Sequence, residues 1–291
     1  MTAHALDRQS NGMALTVGAS VIWGTSFVAT SVGLEYSNPY VLLFERFFIA
    51  SVAILGLGIF VRSARIWDEL KRPRTWGIGA VYCAAFLLQF LGQNDSGASA
   101  SALLSNLFII FVPVAAFFLL REHMPNSSKA AVAISVVGIF LVLPSGLQVT
   151  GTTLGDLLLI GASIGYTLFI VLGKKYDVSS MASSFALIVS MTVVMAPLAA
   201  FEGGPFALNT MLTAGAWESV VWLGVPCTVV ALAMYTKGLA SIRATQSATL
   251  LLLEILVGVV LSVSLLGNAI SATQAFGAGV IAVAILLTSR R

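Results

Sequence analysis

The chain has 291 residues, 58% of them apolar and only 9% charged, against roughly 25% charged residues in soluble domains. Its formal charge of +3 comes from dispersed cations, which excludes a nucleic-acid-binding patch. Two cysteines and two histidines exclude a disulfide scaffold and a His-rich metal centre.

A polar stretch over residues 1–12 is expected to be a short tail. The apolar run behind it, Met13 to Leu34, is too long for a signal-peptide core and is expected to be retained. Further apolar segments cover Tyr40 to Val61, Trp76 to Asn94, Ala98 to Leu120, Ala130 to Gly146 and Leu157 to Gly173. Met181 to Phe201, Val220 to Thr236, Ala244 to Leu266 and Ser271 to Ser289 complete the series. Each approaches the length that a bilayer's hydrocarbon core demands of a helix. They are read as helices because lipid offers backbone groups no partner. Cys83 and Cys227 lie inside such segments and read as small apolar fillers.

The cations fall on alternate connections: Arg8; Arg62, Arg65, Lys71, Arg72 and Arg74; Arg121 and Lys129; Lys174 and Lys175; Lys237 and Arg243; Arg290 and Arg291. The connections around Glu35, Asp95, Gln148, Glu202 to Ala216 and Gly267 to Ile270 carry none. By the positive-inside rule both termini are cytoplasmic. The expectation is an all-α, multi-pass protein of ten spans in a bacterial inner membrane.

Ser101-Ala102-Leu103-Leu104 and Leu119-Leu120-Arg121-Glu122 align with Ser247-Ala248-Thr249-Leu250 and Leu265-Leu266-Gly267-Asn268 at one offset, which also pairs Gly92 with Gly238 and Gln89 with Tyr235. Two five-helix repeats are therefore expected, over residues 13–147 and 148–291. Five is odd, so the second repeat enters the membrane inverted. Such architectures hold solute near the midplane between repeats and alternate access by rocking.

The chain resembles the drug/metabolite transporter superfamily, EamA type, over nearly its whole length. The resemblance rests on Trp23-Gly24-Thr25-Ser26-Phe27, Arg46, the run Ala98 to Met124, Gly155-Asp156-Leu157-Leu158 and Leu253-Glu254. Within that type it is similar to bacterial aromatic amino-acid exporters. It departs from the family pattern at Ile109 and Ile255, where a proline often follows. The first span also lacks the acidic residue on which small multidrug exporters couple. The resemblance implies export from the cytoplasm.

Helical spacing assigns faces. Tyr82, Phe86, Gln89 and Gln93 share one face of the third segment, Trp23, Ser26, Phe27 and Thr30 one face of the first, and Ser163, Tyr166, Thr167 and Ile170 one face of the sixth. Aromatic rings beside hydroxyls and amides suit a solute with an apolar body and a polar head. Gln89 and Gln93 are open to a second role, as glue between helices. Tyr235 reads equally as cavity wall or interfacial anchor.

Glu254 lies near the centre of the ninth segment, where a carboxylate costs at least ~2.5 kcal/mol to insert. It is a candidate for proton coupling, for binding a substrate ammonium, or for a structural acid. Arg46 sits about 9 Å from the outer end of its segment, within snorkelling reach of the interface. Glu45, Asp95 and Asp156 are its candidate partners, in a structural or gating role. Gly161 with Gly165, and Gly97 with Ser101 and Ser105, read as packing seams.

With no cation at the midplane, phosphorylated solutes are disfavoured. The expected partners are a small uncharged or zwitterionic molecule, such as a neutral or aromatic amino acid, and the lipid bilayer, with no nucleic acid and with a monomer sufficing. A proton-coupled exporter of hydrophobic drugs or organic cations is the alternative. An intramembrane enzyme or a receptor subunit fits less well, since one central Glu makes a poor catalytic set. No cofactor, catalytic or metal site is expected.

Overall fold

The computed structural model describes residues 3–58, 64–142, 153–203, 213, 216–266 and 271–289, and all regular structure among them is helical. The connection at Gln148, the segment 204–212 and the end of the repeat at Gly267 and Asn268 lie outside these residues, as do Arg62, Arg290 and Arg291. In chain order the helices are α1 (Ala3–Leu34), α2 (Pro39–Gly58), α3 (Ala64–Leu70), α4 (Pro73–Leu104), α5 (Phe108–Leu120), α6 (Asn126–Val142) and α7 (Thr153–Lys175). They continue with α8 (Met181–Gly203), α9 (Trp217–Gly224), α10 (Ala231–Leu239), α11 (Ala244–Leu251), α12 (Leu253–Leu266) and α13 (Ala272–Ser289).

Helix occupies every expected apolar segment as far as it is described. Eight stretches are long and apolar enough to cross a membrane, whereas Asn126–Val142 and Ala272–Thr288 are apolar but shorter. Large apolar side chains face outward, Phe118 at 73%, Phe201 at 87% and Phe276 at 67% exposure. Water would penalise such a surface and lipid does not.

Two boundaries and the role of one glycine differ from expectation. The polar tail is helical from Ala3 and lengthens the first helix. The connection after the second segment contains α3, whose Glu69 and Asp68 accept from Arg72 (2.8 Å) and Lys71 (3.1 Å). Gly97 is a turn and not a packing seam. Its φ of 80° and ψ of 171° break α4 into two spans, a backbone geometry that glycine adopts without steric cost.

First-half helices pack on second-half ones. α1 lies against α10 and α12, α4 and α5 against α7, α2 against α8, and α6 against α13. Small residues permit the approach: a Cβ built on Gly165 would lie 2.7 Å from the Cβ of Ala85. Gly165→Leu is expected to force α7 off α4 and cost about 1–3 kcal/mol, the usual range for overpacking. A melting temperature in detergent equal to that of the parent would show that this seam yields freely.

Candidate functional site

The helices that meet at the centre are broken there. Between α4 and α5 a 3-10 turn spans Ser105–Leu107, and α11 gives way to α12 at Leu252. A π-helical turn, Val225–Val230, joins α9 to α10 around Pro226, which has no N–H for a regular ladder. Broken helices free backbone groups at depth, tolerated only inside protein or beside a cavity.

One cavity lies at this convergence, walled by Trp23, Ser26, Phe27, Tyr82, Phe86, Gln89, Tyr166, Tyr235 and Glu254. Ser105, Asn106, Phe108, Phe169, Ile170 and Leu251 complete the lining. Of these last six, helical spacing singles out Ile170, on the face of Tyr166 and Thr167. The repeat offset finds four of the others: it pairs Trp23 with Phe169, Gln89 with Tyr235, Ser105 with Leu251 and Phe108 with Glu254, so matched positions of the two halves face one space. The paired residues differ in chemistry, and the carboxyl group of one half stands opposite a phenyl ring of the other.

The walls are aromatic. Tyr82 and Phe169 stack nearly parallel with centroids 3.6 Å apart, Tyr166 stands edge-on to Phe86 at 5.5 Å, and Trp23 tilts over Tyr235 at 5.1 Å. The free space is about 50 Å³, enough for a few waters and far below the roughly 300 Å³ or more of a drug-sized site. A larger solute enters only as wall side chains move apart.

Several donors around the cavity are committed. The Trp23 indole Nε1 donates to the Cys227 carbonyl at 2.7 Å, and the Tyr166 hydroxyl donates to Gln89 Oε1. Gln89 Nε2 reaches Ser101 Oγ at 3.4 Å, and Ser247 Oγ donates to the Tyr235 hydroxyl at 3.1 Å. Tyr166→Phe strips Gln89 Oε1 of its donor and is expected to cost about 1–2 kcal/mol. Melting and solute affinity that both match the parent would show that the bond carries neither.

The remaining candidates lie outside the lining. Gln93 Nε2 bridges α4 to α1 through the Phe27 carbonyl (2.9 Å) and Ser31 Oγ (3.1 Å). Ser163 and Thr167 bond to carbonyls of their own helix, and Thr30 is buried in α1. Asp95 is exposed and accepts from Asn94 (3.3 Å), Asp156 sits in the first turn of α7, and Glu45 is buried.

Arg46 does not snorkel. It is 1% exposed, its Nε donating to Thr228 Oγ1 at 2.8 Å and its Nη2 to the Cys227 carbonyl at 3.4 Å. Among the described residues no carboxylate pairs with it; the ion pairs cluster about α3. Its guanidinium lies 4.3 Å from the centroid of Phe86, a ring of the cavity wall, and Arg46 itself is not part of the lining.

At one end of the bundle two charged side chains hold the turn between α10 and α11. Lys174 Nζ donates to the carbonyls of Leu239 (3.1 Å) and Ile242, and both carboxylate oxygens of Glu122 accept from the Ala244 amide at 3.1–3.2 Å. The Leu-Leu-Arg-Glu run of the repeat is the sequence sign of Glu122; Lys174 has none beyond its charge.

A family model described as the EamA-like transporter family matches residues 10–143 and again 153–290. The chain belongs to that family. Like other EamA-like transporters it is a multi-pass membrane protein and a membrane transporter. An uncharacterized transporter of Archaeoglobus fulgidus is 22% identical over 96% of this chain and 85% of its own length. A second from that organism is 27% identical over 81% of each chain. The uncharacterized inner membrane transporter YhbE of Escherichia coli K12 is 25% identical over 65% of this chain and 62% of its own. A solved protein structure superposes over 96% of both chains with a TM-score of 0.79 at 17% identity, a likeness of fold alone.

Proposed function

We propose that this EamA-like transporter exports small organic solutes with an apolar body, neutral or aromatic amino acids and related metabolites, from the cytoplasm across a bacterial inner membrane. Ten spans form two inverted repeats, both termini are cytoplasmic, and access alternates about the central cavity. The observation that carries the solute class is the lining: stacked rings on the walls, a single acid, and no Lys, Arg or His. The repeat reading is supported by the packing. Exchanging each helix for its counterpart in the other half turns the contact of α1 with α10 and α12 into that of α7 with α4 and α5. The two stretches matched by the family model point the same way.

A second reading, proton-coupled export of hydrophobic drugs or organic cations, is favoured by Glu254, 9% exposed on the wall of this cavity. Counterflow in proteoliposomes with labelled Phe, Trp, Thr and an organic cation separates the two. Exchange of the amino acids supports the first reading, and exchange of the cation alone the second. A protein that exchanges none of them would retire both.

A further inference from the structure

We infer that Glu254, Asn106 and Ser105 together form a binding site for an ammonium head, and that the preferred solute is an amine without a carboxylate. The inference rests on the reading of this cavity as a transport site and, of the two solute classes set out above, favours the organic cation over the amino acid.

All three side chains line the cavity, and all are nearly removed from solvent, at 9%, 1% and 2% exposure. Asn106 Nδ2 donates to the Ala102 carbonyl at 2.7 Å, which fixes the amide's orientation and leaves Oδ1 as the free acceptor. That Oδ1 and Ser105 Oγ are both buried without a hydrogen-bond partner. Among the described residues no group donates to the Glu254 carboxyl. Native proteins rarely leave buried polar atoms unpaired, and each such atom calls for an explanation.

The three groups can all act as acceptors, although the Ser105 hydroxyl can also donate. A carboxylate, a carbonyl oxygen and a hydroxyl oxygen all accept, while the nearby donors of Trp23 and Tyr166 are already used. The walls beside them are ring faces, which also attract cations. A primary ammonium brings three N–H donors and one positive charge, enough to serve all three oxygens. The broken helices explain how the acceptors meet. Ser105 and Asn106 lie in the 3-10 turn before α5, and Glu254 lies in the first turn of α12, just past the break at Leu252.

A carboxylate finds no such reception. Arg46 is the one buried cation near the centre among the described residues, and it packs on Phe86 without itself lining the cavity. Its bonds to Thr228 and the Cys227 carbonyl turn it towards the π-helical turn. A zwitterionic amino acid would satisfy the acceptors with its ammonium, while its carboxylate would meet neutral hydroxyls such as those of Tyr82 and Tyr235 and no opposing charge on the cavity wall.

The test compares three solutes with the same phenyl body: phenethylamine, phenylalanine and phenylacetate. On the parent protein in proteoliposomes, phenethylamine counterflow is expected at no less than about tenfold the efficiency of phenylalanine, with phenylacetate inert. One lost charge-assisted hydrogen bond corresponds to about 10–100-fold. Asn106→Leu and Ser105→Ala, each checked for monodisperse elution in detergent, are expected to weaken phenethylamine exchange about tenfold. Phenylalanine moving as well as or better than phenethylamine overturns the inference and leaves the transport reading standing, and this arm needs no variant. Folded Asn106→Leu exchanging phenethylamine like the parent also overturns it. If the parent moves none of the three, nor any solute of the earlier panel, the transport reading falls and this inference with it.

Discussion

Glu254→Gln is expected to abolish solute accumulation driven by a pH gradient, lowering it by at least about tenfold, in vesicles where the parent concentrates its solute. The carboxyl group exchanges between a charged and a neutral form; the amide has only the neutral one and keeps the shape. Glu254 is suited to that exchange, because its carboxyl group receives no bond from described protein groups and faces the cavity. Carrying a bare carboxylate at this depth costs at least ~2.5 kcal/mol, so the group is held charged only when water or a cation answers it. If the amide were tolerated in the absence of a gradient and lost only its response to one, Glu254 would be the proton carrier alone. If exchange vanished with no gradient as well, it would also hold the solute. Equal transport by parent and variant in both conditions rejects either role.

The second large effect is expected at Arg46. Arg46→Ala empties the space behind Phe86 and should cost about 2–4 kcal/mol, as large-to-small core changes do. The ring then falls back into the void, and the central cavity widens on that side. Arg46→Met tells volume from charge. Its partners keep other bonds, since Thr228 Oγ1 donates to the Leu223 carbonyl at 2.8 Å and the Cys227 carbonyl still receives the Trp23 indole. Replacing a buried charge by an apolar side chain of similar size is often neutral. Arg46→Met is therefore expected to melt within about 1 kcal/mol of the parent, and Arg46→Ala far below it. A fall as deep for Met as for Ala would mean that the guanidinium's own bonds hold α2 to the π-helical turn, and that filling the space does not substitute for them.

The apolar segments were legible because lipid imposes both their length and their helical form, so hydropathy alone placed a helix in each, though it stopped short of the polar turns that begin α1 at Ala3. What the sequence left unread depends on the direction of side chains. Arg46 is near enough to a segment end to reach the interface by length, but its actual aim is set by the hydroxyl of Thr228, far away along the chain. Gln89 and Gln93 sit a turn apart with the same chemistry. A small rotation of α4 sets one against Tyr166 in the cavity and hands the other to the backbone of α1. Ser105 and Asn106 are two polar residues in an apolar run, and only the 3-10 turn between two helices gives them a common destination. Gly97 looks like any small packing residue until its positive φ is known. Hydropathy reports how much of a residue lipid tolerates and is silent on which neighbour it meets.

The grip of Lys174 and Glu122 on the turn between α10 and α11 sets the energetics of motion at that end. Both side chains are only half-buried, so on release each regains hydration, and the net loss is about 1 kcal/mol per bond in place of the several that a dry site would exact. A difference of a few kcal/mol leaves the released form as a minority of roughly 0.1–10%. Under the proposed alternation of access, this grip is what lets go when that end opens, at a cost small enough for a solute to meet the open form. Weakening either charged handle should shift the idle balance before it disturbs the fold.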